Sequence, residues 1–194
     1  MKKKIITGLI ILFIIISGGI YMYNKLTKPN FSSKTTKLYQ RGFRLLEEQI
    51  STYIKDKYSG IEKIEFSPIY VTGDDDSSML NAYVRPTIYD KYGNKATLGT
   101  QIKKYVFGIE ADLVLDFDWD GNEVIELLDS EDNSIDVSNA KELPKEARLT
   151  DAKSIDINIQ MLVEDGQLKD VVKDEKGSPE AEIIYNVKLS KEEG

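Results

Sequence analysis

Cysteine and histidine are both absent from this chain of 194 residues. Without cysteine no disulfide can form and no lipid can be attached through a thiol, so any membrane attachment must come from the polypeptide itself. Without histidine a serine–histidine–aspartate triad is excluded, and zinc and iron lack their imidazole and thiolate ligands. Carboxylate, lysine or tyrosine chemistry and the binding of hard cations through oxygen remain open. The sequence predicts no cofactor.

The length and composition fit one folded domain with an appendage. Domains commonly run to roughly 100–150 residues. Hydrophobic residues make up 41% of the chain and charged residues 30%. This is enough apolar material for a core and too much for a disordered polypeptide.

An uncharged apolar run lies near the amino terminus. Residues 5–23 carry no charge and follow three consecutive lysines. Because about 20 apolar residues cross a bilayer as a helix, we predict an uncleaved, single-pass membrane anchor, with its tyrosines at the headgroup boundary. The residues assigned to the anchor are Ile5, Leu9, Phe13, Tyr21 and Tyr23. Two alternatives remain open: a signal peptide cleaved at the small residues 17–19, and a helix buried in the core.

The charges around this run predict its orientation. Lysines lie on both sides of the run, so the positive-inside rule does not decide by itself. The tail at 1–4 is short and basic, which favours a cytoplasmic amino terminus. We then expect a juxtamembrane linker at 24–36, an extracytoplasmic domain at 37–190 and a tail at 191–194.

One amphipathic helix opens the domain. Tyr39, Phe43, Leu46 and Ile50 recur at spacings of three and four, which predicts a helix over about 34–58. Beyond it, apolar residues alternate with polar ones in several short runs, which predicts strands. The runs are 61–71, 80–89, 111–128, 155–163 and 180–189. A helical turn is expected after Pro144.

The order of these elements predicts an α+β fold. One helix covers one face of a curved antiparallel sheet of about six or seven strands, since such a layered packing buries both apolar faces. The plan resembles cystatin-type folds in architecture alone, and this analogy implies no function.

The strongest hairpin lies within 111–128. Alternation places Leu115, Phe117 and Trp119 on the core side of its first strand, with Asp116 on the opposite side. A three-residue turn at 120–122 would set Ile125 opposite Phe117.

Acidic residues are concentrated in the second half of the chain. Residues 111–194 hold 23 acidic and 9 basic side chains, whereas residues 31–110 hold 10 acidic and 12 basic ones. The acidic half argues against binding to nucleic acid, which requires basic surfaces. It favours a cationic protein partner or a cation, although solubility alone can also explain it.

Two kinds of site fit the acidic hairpin. The residues predicted to bind a partner are Asp112, Asp116, Asp118 and Glu126. A weaker alternative is a calcium loop that begins with Asp116, Asp118 and Asp120, but Leu127 stands where such a loop needs a bidentate glutamate.

These observations favour a membrane-anchored, extracytoplasmic, non-catalytic protein-binding module in a bacterial envelope. Its concrete form is an immunity protein against a secreted toxin. One alternative is an accessory subunit of an envelope or secretion complex. Another is a cell-wall glycan hydrolase that pairs Asp116 or Asp118 with Glu126, since glycosidases use two carboxylates across a cleft. The oligomeric state stays open.

Overall fold

A computed structural model describes residues 29, 31–72, 81–102, 104–106, 108–109 and 112–191. The predicted membrane anchor at 5–23, with all five of its named side chains, lies outside these residues. Among the described residues, no helix combines the length and the apolar character that crossing a bilayer requires.

The first helix, α1, spans Ser33–Lys57 and confirms the predicted helix. It begins at Ser33 because the hydroxyl of Ser32 accepts a hydrogen bond from the Thr35 N–H at 3.0 Å, which satisfies one of the unpaired donors of the first turn. Its apolar stripe, which includes Phe43 and Ile50, is buried in the core.

The second helix, α2, spans Lys153–Glu164, so the strand predicted at 155–163 is wrong. Apolar residues alternate there, but burial follows the helical spacing of three and four. The buried residues are Ile155, Asn158, Ile159 and Leu162. Ile157, which a strand would have buried, is 45% exposed. A single 3-10 turn at Lys145–Ala147 confirms the helical turn expected after Pro144.

The described strands are short and numbered in chain order. They are β1 (Tyr58–Ser59), β2 (Ile61–Phe66), β3 (Ile69–Thr72), β4 (Asn81–Tyr83), β5 (Pro86–Asp90), β6 (Lys95–Thr97), β7 (Gln101–Ile102), β8 (Tyr105–Val106), β9 (Leu113–Phe117), β10 (Glu123–Leu128), β11 (Ser134–Asp136), β12 (Val172–Lys173), β13 (Glu182–Ile184) and β14 (Leu189–Lys191).

These strands form several small sheets, whereas we predicted one antiparallel sheet. The orders are β13-β2-β5-β6, β14-β3-β4 and β11-β10-β9, with the pairs β1-β12 and β7-β8. The α+β class is confirmed, but the single antiparallel sheet is wrong. The carboxyl-terminal segment returns beside β2 and β3 in the same direction, so β13 and β14 pair with them in parallel.

Helix α1 packs on the inner face of the β9–β10–β11 sheet. Gly42 makes this close approach possible, because a methyl group at this position would overlap the Leu115 side chain. Glycine weakens a helix interior by about 1 kcal/mol relative to alanine. Here the close packing of α1 on the sheet explains the glycine. Ile125 and Leu127 of β10, which point towards the helix, are fully buried.

Three loops of the described residues share the pattern Asp-x-x-(Gly or Asp)-Asn. They lie at 90–94, 118–122 and 129–133. In each, the aspartate N–H donates to the asparagine carbonyl at 3.0 Å, and the asparagine N–H donates back to the aspartate carboxylate. The fourth position has a positive φ, which glycine adopts freely and which Asp132 adopts in the third loop at 62°. The leading aspartate therefore holds the loop closed.

Candidate functional site

The outer face of the β9–β10–β11 sheet carries carboxylates and apolar side chains together. Asp116 lies opposite Val124, and Glu126 lies opposite Val114. Because α1 covers the other side of the sheet, these residues lie on its outer face. Val114 is 45% exposed and Asp116 is exposed, whereas Val124 and Glu126 are half-buried. We call Val114, Asp116, Val124, Glu126 and the adjoining Trp119 the acidic face.

The sequence predicted that Trp119 points into the core, and this prediction is wrong. Its side chain is 106% exposed, the largest exposure among the large apolar side chains of the described residues. Strand β9 ends at Phe117, and a turn begins at Asp118, so the alternation of strand side chains no longer applies two residues later. The sole tryptophan of the chain therefore projects into water at the end of the acidic face.

The hairpin register also differs from the prediction. Ile125 lies opposite Leu115, not opposite Phe117, which faces Glu123. The loop at 118–122 has five residues instead of three, which moves the pairing by two positions. A shift of two keeps every side chain on its own face, so Ile125 still points into the core.

Asp118 is used by the turn. Its carboxylate accepts hydrogen bonds from the Asn122 side-chain amide at 2.9 Å and from the Asn122 N–H at 2.7 Å. These bonds lower the pKa of Asp118. A general acid for glycoside hydrolysis needs the opposite shift, so Asp118 is unsuited to that role.

The other predicted site residues are divided between two places. Asp116 and Glu126 lie on the acidic face. Asp112 is exposed just before β9, at the edge of a cavity between α1, β4 and β9. Among the described residues, no three acidic side chains converge so that they could hold a metal ion. Leu127, at the closing position of the calcium-like pattern, is fully buried.

The turn that carries Trp119 is fixed to the start of α1. The Lys34 ammonium donates a hydrogen bond to the Gly121 carbonyl and lies 4.2 Å from the centre of the Phe117 ring. An ammonium over an aromatic face is attracted by the ring quadrupole. The exposed indole of Trp119 thus projects from a turn that Lys34 holds against α1.

No family model, curated protein or solved structure matches this chain. The acidic face combines carboxylates, apolar side chains and the exposed indole of Trp119 in one place.

Sequence reasoning missed a buried carboxyl group on α1. Glu47 is fully buried, and one carboxyl oxygen accepts a hydrogen bond from the Asn186 N–H at 3.1 Å. Its other oxygen has no hydrogen-bond partner. Burial raises the pKa of Glu47 to about 7, although the Asn186 N–H and Arg44 act against this. The sequence did contain a signal of this burial. Glu47 lies four residues after Phe43, and residues at this spacing lie on the same face of a helix.

A second missed cluster surrounds Asp156 on α2. Its carboxylate accepts hydrogen bonds from the hydroxyls of Tyr53 at 2.8 Å and Tyr58 at 2.6 Å, and it pairs with Lys173 at 2.6 Å. Burial acts against the charged form, but hydrogen bonds from Lys173 and both tyrosines lower the pKa of Asp156. Burial and the hydrogen bond to Asp156 raise the pKa of each tyrosine. Such tyrosines stay protonated and donate their hydrogen bonds to Asp156, so the cluster joins α1, α2 and β12.

Proposed function

We propose that the chain is a membrane-anchored, extracytoplasmic, non-catalytic module whose acidic face binds a cationic protein partner. Residues 5–23 would hold it in the membrane, with the short basic tail at 1–4 in the cytoplasm. The observation that carries the proposal is the full exposure of Trp119 beside the carboxylates of β9 and β10.

The composition of the acidic face fits a protein contact. Tryptophan is enriched among the residues that dominate binding energy in interfaces. A lysine or arginine of the partner can stack on the Trp119 ring while it pairs with Asp116. Val114 and Val124 supply apolar area between the charges.

Immunity against a secreted cationic toxin is the concrete form of this proposal. An anchored binding protein meets such a toxin at the surface that the toxin attacks. The acidic second half of the chain also attracts a cationic protein from a distance, which raises its association rate.

Trp119 provides its own test, because it is the only tryptophan and lies on the proposed site. We expect its fluorescence in the full chain, held in an uncharged detergent, to be quenched more by caesium than by iodide. The neighbouring carboxylates attract the cation and repel the anion. An oligolysine peptide should change the emission in a saturable manner that weakens with salt.

The controls are N-acetyltryptophanamide for the quenchers and an oligoglutamate peptide for the titration. Equal quenching ratios for the chain and the free indole, together with no response to oligolysine, would show that the face attracts no cation. The proposal would then fail.

A further inference from the structure

A second surface of the domain has the opposite charge. Lys37, Arg41 and Arg44 lie at spacings of four and three along α1, and Lys141 faces them from the loop after β11. Together they line an open groove of about 710 Å³. We call these four residues the basic groove.

The floor and the framework of the groove are built from neighbouring residues. Leu45, Ala140 and Val187 give it an apolar floor. The Arg44 guanidinium lies 3.4 Å from the centre of the Tyr185 ring and pairs with Glu48 at 3.1 Å.

The charge of the groove is compensated only in part, since Arg41 and Arg44 each pair with a glutamate. Arg41 pairs with Glu123, the sole acidic side chain among the described residues that line it, and also donates to the Ser138 carbonyl. Lys37 and Lys141 are exposed, and neither forms an ion pair within the described part of the chain. The groove therefore offers two free ammonium groups over an apolar floor.

The groove lies close to Pro29, the first residue that the structure describes. Pro29 lines a neighbouring depression that shares Gln40 and Val187 with the groove. Only five residues separate Pro29 from the end of the predicted anchor at Tyr23, and the six steps between these two Cα atoms span at most about 22 Å. The basic groove is thereby kept close to any bilayer that holds residues 5–23.

We propose that the basic groove binds the phosphate-bearing headgroup of an anionic phospholipid in the membrane that holds the anchor. This inference rests on the anchor of the proposed function but not on the acidic face. Lys37 and Lys141 bind the phosphate, and the apolar floor accepts the glycerol and the first part of an acyl chain. Clusters of basic residues next to a membrane segment bind anionic headgroups through such charges. The contact turns the domain so that one side rests on the lipid.

Native mass spectrometry of the full chain tests this inference. The chain is reconstituted in nanodiscs with equal amounts of phosphatidylglycerol and phosphatidylcholine and then released gently, and the lipids that remain bound are counted. We expect K37Q/K141Q to lower the fraction that carries phosphatidylglycerol about tenfold. The control K145Q/K176Q has the same net charge and changes exposed lysines outside the groove, so it should leave that fraction unchanged.

Several results would overturn the inference. Equal loss in the two double variants would assign lipid retention to net charge, and equal retention of both lipids would remove the headgroup preference. Displacement of the lipid by inorganic phosphate at the same concentration would make the groove a site for a free anion. A dimer lost only in K37Q/K141Q, with phosphatidylglycerol unchanged, would assign the groove to a second copy of the chain. A chain that does not enter nanodiscs would overturn the anchor as well.

Discussion

The free energy of unfolding of the full chain should fall by about 2 to 3 kcal/mol as the pH rises from about 5 to about 8, and Glu47→Gln should remove most of this fall. Glu47 is fully buried and has a pKa of about 7 in the folded chain, against an ordinary 4.5. A shift of this size corresponds to about 3 kcal/mol.

The sign follows from proton binding. Between pH 4.5 and about 7 the folded chain keeps the Glu47 proton while the unfolded chain has lost it, so the folded state is favoured most at low pH. Above pH 7 the Glu47 carboxyl group is ionised in both the folded and the unfolded chain. The full cost of burying this charge then lowers the stability of the folded state. Glutamine has the same shape and no charge, so the variant should be more stable than the parent above pH 7 and similar below pH 4.5.

Denaturant unfolding followed by far-UV circular dichroism measures this effect, because Trp119 is exposed and its fluorescence reports little of the core. The chain has no histidine, which removes the usual group that titrates in this interval. Glu48→Gln is the matched control: it changes the next residue, which pairs with Arg44 at the surface of the helix, and should keep the fall. A parent whose stability is flat from pH 5 to pH 8 would contradict the account.

Reversing the charge of the acidic face should weaken binding of an oligolysine peptide about a hundredfold. In D116K/E126K, two attractive contacts become repulsive ones, and close charge pairs across an interface contribute about 1.5 kcal/mol or more each. Trp119 emission measures both affinities. Asp116 is exposed, whereas Glu126 is half-buried and accepts a hydrogen bond from the Ser134 hydroxyl at 2.6 Å. Stability should therefore fall by about 1 kcal/mol.

The control for this experiment is E146K/E175K, which has the same net charge and changes exposed carboxylates outside the acidic face. If the two variants lose affinity equally, the peptide responds to net charge and not to a site. If neither loses affinity, oligolysine binds elsewhere, and the acidic face has no role in attracting cations.

The parts of the fold that local patterns determine could be predicted. Helix α1 has a continuous apolar stripe, and every second residue of β9 and β10 from Leu113 to Phe117 and at Ile125 and Leu127 is apolar, so their type and their core faces were both accessible from the sequence. The segment at 155–163 was not, because its isoleucines alternate as in a strand while its burial follows a helix. Packing against the core decides between two periods that a short segment satisfies almost equally.

Pairing between distant segments left no local signal. The parallel pairs β2–β13 and β3–β14 join residues more than a hundred positions apart, and nothing in either strand specifies its neighbour. The candidate site was predicted in part for the same reason. Asp116 and Glu126 follow from alternation, whereas the exposure of Trp119 depends on where β9 stops, which the five-residue turn decides.

The most direct test of the central claim is photocrosslinking in intact host cells. A photoreactive amino acid replaces Val114 on the acidic face of the full chain, and in a parallel strain it replaces Ile157, which is equally exposed on α2. We predict that the probe at 114 crosslinks to one basic protein, that the probe at 157 does not, and that D116K/E126K removes the product. Crosslinks that are absent at 114, or that are the same at both positions, would contradict a binding site on the acidic face.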